Sequence, residues 1–387
     1  MKISKTVQSI PPSGIRVFFD LVLGMKDVIS LGVGEPDFVT PWNVREAAIY
    51  GLEEGYTSYT SNKGMAELRQ ELARYLERKY GLKYDPEEGM LITVGVSEAV
   101  DLALRTLIEP GDKVLVPEPS YVSYGPNVTL CGGKPVFIRT GPDNGYRITA
   151  ADIDRYCDKK TKILFLNYPS NPTGASYSKQ DLLKIARAVL RHDLMVITDE
   201  IYCELTYDYA HTPFPGLPGM KERTIYLNGF SKAFAMTGWR IGYACGPKEA
   251  IYAMTKIHQY TMMCVPIMSQ IAAREALKNC EKSVQEMKRE YRRRRSFVVS
   301  RLNEMGLDCH MPEGAFYAFP SIKRFGLSSL EFSKRLLESQ KVAVVPGTAF
   351  GPLGEGFIRI SYASSMDKLK EAMRRMEKFL SGMDKGR

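Results

Sequence analysis

The sequence predicts an α/β protein, with a large domain around a mostly parallel seven-stranded sheet and a smaller α+β domain. Three observations carry the prediction. Seven short apolar runs lie between residues 90 and 244, several joined by helical stretches, which is the pattern of a parallel sheet covered by helices. A long helical stretch, 268–306, follows them. Beyond it, apolar runs and helices alternate again on a smaller scale.

In chain order, "MLITV" (90–94) precedes the helical "SEAVDLALRTLI", and "KVLVP" (113–117) and "PVFIR" (135–139) follow. "KILFLN" (162–167) leads into the helical "SKQDLLKIARAVLRH". "LMVIT" (194–198), "TIYLN" (224–228) and "RIGYA" (240–244) complete the seven. Residues 268–306 read as helical almost throughout and as a long connector. After it come "FYAFP" (316–320), the helical "SSLEFSKRLLESQ", "VAVVP" (342–346), "FIRIS" (357–361) and a last helix from Met366. The segment "VISLGVGEPDF" is too short to fold alone and is expected to pack against this second unit. The expected division is a large domain over 46–290 and a small one made of 1–45 with 291–387.

A chain of 387 residues, 44% hydrophobic and 25% charged, can bury a large core. The net charge is +9, and the densest basic run is Arg292 to Arg295. That run lies in a helical pattern with Phe297, Val298 and Leu302 at apolar spacing, so it reads as a solvated helix face. No zinc-finger spacing, RNA-binding signature or aromatic-basic stripe occurs, and no nucleic-acid role is expected. The seven cysteines are scattered and none forms CxxC, the usage of a reduced, cytoplasmic protein. The four histidines lie far apart, so no metal is expected. No apolar signal core opens the chain and no stretch is long enough to span a bilayer, so no membrane partner is expected.

In open α/β sheets, ligands bind at the carboxyl ends of the strands. "MLITV" is followed by Gly95, Val96 and Ser97 and then a helix, which offers free N–H groups and a positive end to an anion. Asn171 follows "KILFLN", and Asp199 and Tyr202 follow "LMVIT". Ser231 and Lys232 follow "TIYLN". Lys232 is the one lysine of "NGFSKAFAMTGWRIG", set among small, apolar and aromatic residues where desolvation disfavours charge. Arg240 opens a β-type run, where an internal arginine needs an anionic partner. Each has a plain structural reading: a strand-to-helix turn at Gly95, a capping acid at Asp199, a turn at "SNPTG", a core phenol at Tyr202, a solvated amine at Lys232. Together they put an anion site, an acid, a phenol, an amide and an amine at the strand ends of one sheet.

This set resembles the pyridoxal-phosphate-dependent aminotransferases of class I, the aspartate aminotransferase-like family of fold type I. The resemblance covers nearly the whole chain. It rests on "LGVGEPDF", "YTSYTSNKGMAELR", "PSYVSYGP", "YPSNPTGA", "ITDEIYCEL", "NGFSKAFAMTGWRIGY", "PEGAFYAFP", "VPGTAFG" and "FIRISYA", in that order. It implies pyridoxal 5'-phosphate as cofactor, with Lys232 holding the aldehyde as a Schiff base and then moving the substrate's α-proton. Asp199 would keep the ring nitrogen protonated. Asn171 and Tyr202 would bond the phenolic oxygen, and Tyr121 would stack on the ring. The phosphate would rest on Val96, Ser97, Ser231 and Arg240. Tyr59 matches a tyrosine that reaches the phosphate from a partner subunit, which implies a homodimer with shared sites. Many members place a serine three residues before the lysine; here that residue is Gly229.

The resemblance also assigns Arg359 to the substrate α-carboxylate, with Gly34, Asn171 and Asn167 beside it, and Ile15 and Arg16 as a cover. The implied activity is ping-pong transamination of an L-amino acid with a 2-oxo acid such as 2-oxoglutarate. Aromatic or aspartate donors are the first choice. An N-acetyl-diaminopimelate-type donor is the alternative within the class, and carbon–sulfur β-elimination the alternative outside it. Transcriptional regulators that carry this domain need a DNA-binding segment ahead of it, and the thirty or so residues before "LGVGEPDF" are too few for one.

Overall fold

The computed structural model describes residues 2–15 and 25–384. The large sheet contains Met90–Thr93 (β2), Lys113–Glu118 (β3), Lys134–Arg139 (β4), Thr161–Asn167 (β5), Met195–Asp199 (β6), Thr224–Gly229 (β7) and Gly242–Cys245 (β8). Their order is β2-β8-β7-β6-β5-β3-β4, and only β8 runs against its neighbours. The seven-stranded, mostly parallel sheet is therefore the one the sequence predicts.

Alternation along the strands explains why both faces are covered. Ile163 and Phe165 point to one face, where helices Gly95–Leu107 and Lys248–Thr261 pack. Leu164 and Leu166 point to the other, against helix Lys179–Arg191. β2, β7 and β8 are buried along their whole length, as a sheet enclosed by helices requires.

Two sequence expectations are corrected. The run at 240–244 becomes a strand only from Gly242. Arg240 is left-handed, at φ 50°, and closes the turn Thr237–Trp239 rather than opening a strand. The basic run is also not a uniformly solvated face. Arg292 and Arg293 are exposed, but Arg294 and Arg295 are buried. Arg294 pairs with Asp37 and Glu290, and Arg295 with Asp208. The connector is helical almost throughout, as expected, with one break. Ile267–Asn279 and Glu281–Glu304 are separated at Cys280, whose φ of −107° and ψ of 11° break the helical path.

The second helix passes through residue 290 without interruption. Past it, Tyr317–Ala318 (β9), Val345–Pro346 (β11) and Ile358–Ser361 (β12) form an antiparallel sheet, and Val342–Ala343 (β10) pairs with Ile29–Ser30 (β1). Leu31 N donates to Ala343 O at 2.8 Å, and Ser361 N donates to Leu31 O at 2.7 Å. The segment 29–34 thus docks beside β12, which carries Arg359, as expected of "VISLGVGEPDF". The Arg294–Asp37 pair, at 2.7 and 2.9 Å, holds the end of that segment onto helix Glu281–Glu304.

Arg295 gives a stability prediction. Its guanidinium bonds Asp208 and Pro312 O and lies 4.8 Å from the Tyr207 ring centroid. Asp208 is 39% exposed and keeps Arg292 at 3.2 Å when Arg295 is removed, so Arg295→Ala is expected to cost about 2 kcal/mol, mostly lost packing and the lost bond to Pro312 O. Urea unfolding of the two proteins measures it, and a cost below about 0.5 kcal/mol would show the residue to be an ordinary surface arginine.

Candidate active site

Residues just past the carboxyl ends of β2, β5, β6 and β7 meet in a cavity of about 320 Å³, large enough for a cofactor or small substrate. Every site residue singled out in the sequence lines it except Tyr59, and Ile15 and Asn167 line it too. Tyr59 lies elsewhere on the surface, 82% exposed. Arg16 falls outside the described residues.

One end of the cavity is built for an anion. Helix Gly95–Leu107 starts without a side-chain cap, so its first-turn N–H groups at Val96 and Ser97 border the cavity unclaimed by any capping side chain. Gly95 has φ +73°, and a Cβ there would stand 2.7 Å from Arg240 Nη2. The guanidinium therefore lies against the mouth of the helix, its Nη1 donating to Thr237 O at 3.0 Å. The Ser231 hydroxyl completes a set suited to a phosphate.

The structure also explains Gly229. It pairs with Gly242 across β7 and β8, and a Cβ on it would lie 2.9 Å from Gly242 Cα and 3.1 Å from Ile241 O. The two backbones approach so closely that a side chain at 229 would have to push them apart.

Lys232 and Asp199 occupy the middle. Lys232 Nζ donates to Gly34 O at 2.6 Å and stands 5.9 Å from the ring centroids of Tyr202 and Phe316. Burial pushes this amine down to about 8; Arg359 and Arg240 add to the shift, while Glu35 and Asp199 oppose it. Burial likewise pushes the Asp199 carboxyl up to about 6. Hydrogen bonds from Tyr124 Oη at 2.8 Å and Ile201 N at 3.2 Å hold it lower than burial alone would. At neutral pH the acid is mostly ionised, and a minor but usable fraction of the amine is neutral.

Arg359 forms the other end. It is 2% exposed and has no carboxylate partner among the described residues. Nη1 donates to Asn171 Oδ1 at 2.8 Å and Nη2 to Gly32 O at 2.6 Å, while Nε is buried without a partner. The Tyr317 and Phe350 ring centroids lie 4.4 and 4.8 Å from the guanidinium carbon. A buried cation bonded only to neutral groups is a site that an incoming carboxylate completes.

Sequence reasoning missed three participants. Tyr124 bonds Asp199, Tyr317 Oη lies 2.8 Å from Tyr202 Oη, and Gly32 offers its carbonyl to Arg359. Tyr124 lies within "PSYVSYGP" and Tyr317 within "PEGAFYAFP", so the segments were visible but not which tyrosine faces the acid. Tyr121 lines the cavity, edge-on to Tyr124 with centroids 5.6 Å apart.

Comparison with known proteins decides the family. Residues 26–376 match the family model for aminotransferase class I and II. The chain belongs to this family. A putative aminotransferase, YugH, of Bacillus subtilis (strain 168) is 56% identical, with 98% of each chain covered. An aspartate aminotransferase of Pyrococcus abyssi (strain GE5 / Orsay) is 47% identical, again over 98% of each chain. The crystal structure of the aromatic aminotransferase from Pyrococcus horikoshii OT3 superposes with a TM-score of 0.91 at 45% identity, covering 95% of this chain and 99% of that one. The protein is accordingly an aminotransferase of fold type I, an enzyme that passes an amino group from an amino acid to a 2-oxo acid. Among the described residues no helix is long and apolar enough to cross a membrane.

Proposed function

We propose that this aminotransferase uses pyridoxal 5'-phosphate, works by a ping-pong cycle with 2-oxoglutarate, and takes aromatic amino acids or aspartate as donors. The observation that carries the proposal is one cavity holding a lysine of lowered pKa and a buried acid between two cationic ends, Arg240 and Arg359. The donor set fits the cofactor: an uncapped helix mouth with Arg240 and Ser231 for its phosphate, Asp199 for its ring nitrogen, and Tyr121, Asn171 and Tyr202 around the ring.

When bound, the cofactor supplies an aldehyde and an electron-withdrawing ring. Lys232 Nζ, as the neutral amine, takes the proton from the substrate α-carbon and returns it across the site. Asp199, mostly ionised at neutral pH, would hold the cofactor's ring nitrogen in its protonated form. Arg359 grips the α-carboxylate with its planar fork, and Gly34 and Asn167 border the same space. Tyr121, Tyr202 and Tyr317 give the cavity aromatic walls, and its only described arginines are Arg240 and Arg359. These aromatic walls favour an aromatic donor over aspartate.

Residues 1–45 and 291–387 are proposed to close over the substrate held on residues 46–290, with helix Glu281–Glu304 as the rigid link. Tyr59 is proposed to reach the phosphate of a second copy, making a cytoplasmic homodimer. Its own exposure, and that of Tyr260 at 86% and Trp42 at 57%, leaves large apolar side chains for such a partner to cover.

Absorption spectra during additions of single amino acids test the reaction. An aromatic donor is expected to bleach the long-wavelength cofactor band, and 2-oxoglutarate to restore it. Release of pyruvate and ammonia from cysteine-type donors, with the band unchanged, would sink the proposal in favour of elimination. Arg359→Ala is expected to raise KM for the donor by roughly 10- to 100-fold, the worth of a charge-assisted bidentate pair. Arg359→Lys, which keeps the charge but loses the fork, is expected to recover only part of that. Unchanged KM for every donor would refute the carboxylate role.

A further inference from the structure

Glu98 sits in the first turn of helix Gly95–Leu107, the helix whose mouth borders the cavity at Val96 and Ser97. A free carboxylate there would lower the positive potential of the helix end and compete with a phosphate for the same N–H groups. Its bonds run elsewhere. Oε2 accepts the Val94 N–H at 2.5 Å, and Oε1 lies 2.6 Å from His258 Nδ1. The side chains are 7% and 0% exposed.

His258 belongs to helix Lys248–Thr261, which packs against Gly95–Leu107. Its other ring nitrogen, Nε2, is buried without a hydrogen-bond partner. All the polar bonding of the ring is therefore spent on Glu98, and leaving Nε2 dry costs free energy. The ring touches neither Lys232, Asp199 nor Arg359, so the reaction itself does not account for it.

We infer that His258 is a positioning residue for the anion end of the cavity. It holds the Glu98 carboxylate back on the Val94 N–H by a hydrogen bond from Nδ1, which keeps the N–H groups of Val96 and Ser97 open to a phosphate ester. The inference rests on the reading of this end as the phosphate site.

The test compares affinities of the full chain, freed of cofactor, for pyridoxal phosphate and for pyridoxal, which lacks the phosphate. His258→Leu is expected to weaken pyridoxal phosphate binding roughly tenfold and to leave pyridoxal unchanged. His258→Asn, able to place an amide donor near the position of Nδ1, is expected to keep most of the affinity. Adding Glu98→Gln to His258→Leu is expected to restore it, because a neutral carboxamide no longer repels the phosphate. Equal losses for both ligands, or no recovery in the double variant, would overturn the inference and leave a packing role. Should His258→Leu not fold, Glu98→Gln alone decides: unaltered or tighter phosphate binding supports the inference, and a tenfold loss overturns it. A wild-type protein that binds pyridoxal as tightly as its phosphate would instead overturn the phosphate reading of the helix mouth, and the inference with it.

Discussion

Lys232→Ala is expected to lower turnover by at least about a thousandfold, the loss typical of removing a group that both bonds the cofactor and carries the transferred proton. The effect is large because no other amine lines the cavity: Lys232 is its only described lysine. Charge alone does not substitute for it. Lys232→Arg keeps a cation near Gly34 O but cannot give up its proton at any working pH, and it is expected to be as inactive as the alanine variant. The amine sits near 8 because it is buried with Arg359 and Arg240 close by. Only the neutral amine attacks an aldehyde, so the rate at which the cofactor-free chain captures pyridoxal is expected to rise with pH and level off above about 8. Stopped-flow absorbance from pH 6 to 10 measures this. A rate still climbing tenfold per unit at pH 10 would show an unperturbed lysine and remove the basis for the assignment. The same argument gives stability a sign. The depressed pKa means the charged amine is destabilising in the folded chain, in full below pH 8, and this penalty fades as pH rises from 8 towards 10.5.

Much of this site was legible in the sequence because the sheet does the positioning. A parallel strand delivers whatever follows it to one edge, so Val96, Asn171, Asp199 and Lys232 could be grouped from local patterns alone. What stayed hidden depends on contacts between segments far apart in the chain. Arg294 and Arg295 look like part of a solvated run, and only the fold reveals Asp37 and Asp208 as their partners. Arg240 looks like the first residue of a strand, because the apolar pattern of "RIGYA" does not encode the left-handed turn before it. Gly229 looks like a lost phosphate ligand until its close approach to Gly242 is seen. Tyr124 and Tyr121 stand three residues apart in one motif, and the sequence gives no means of deciding which one bonds Asp199. Tyr59, which the resemblance gives to a partner's site, lies outside its own cavity and is exposed.

Asp199→Asn is expected to do two things at once: reduce turnover by roughly 10³-fold and make the cofactor-free chain more stable at neutral pH. The first effect follows from the loss of the negative charge that would hold a proton on the cofactor ring. The second follows from where that charge is kept. Asp199 is 6% exposed, and burial raises its pKa from 3.8 to about 6 despite the bonds from Tyr124 and Ile201. The ionised form is thus a net cost to the folded chain, present in full above pH 6 and relieved as pH falls from 6 towards 3.8, where the folded carboxyl takes up its proton before the unfolded one does. A shift of about two units corresponds to about 3 kcal/mol, and imperfect hydrogen bonding by the amide leaves an expected gain of about 1–3 kcal/mol at pH 7. At pH 4 the gain should vanish, because Asp199 is then already neutral. Denaturant unfolding at the two pH values, with the cofactor removed, separates the terms. A variant less stable than the parent at pH 7 would mean that the ionised carboxylate is well solvated or well paired, and the burial argument would fail. Tyr124→Phe acts in the opposite direction: it withdraws a bond that favours the charge, and the Asp199 pKa should rise further. Activity in that variant should fall mainly on the acid side, as protonation of Asp199 intrudes at higher pH than in the parent.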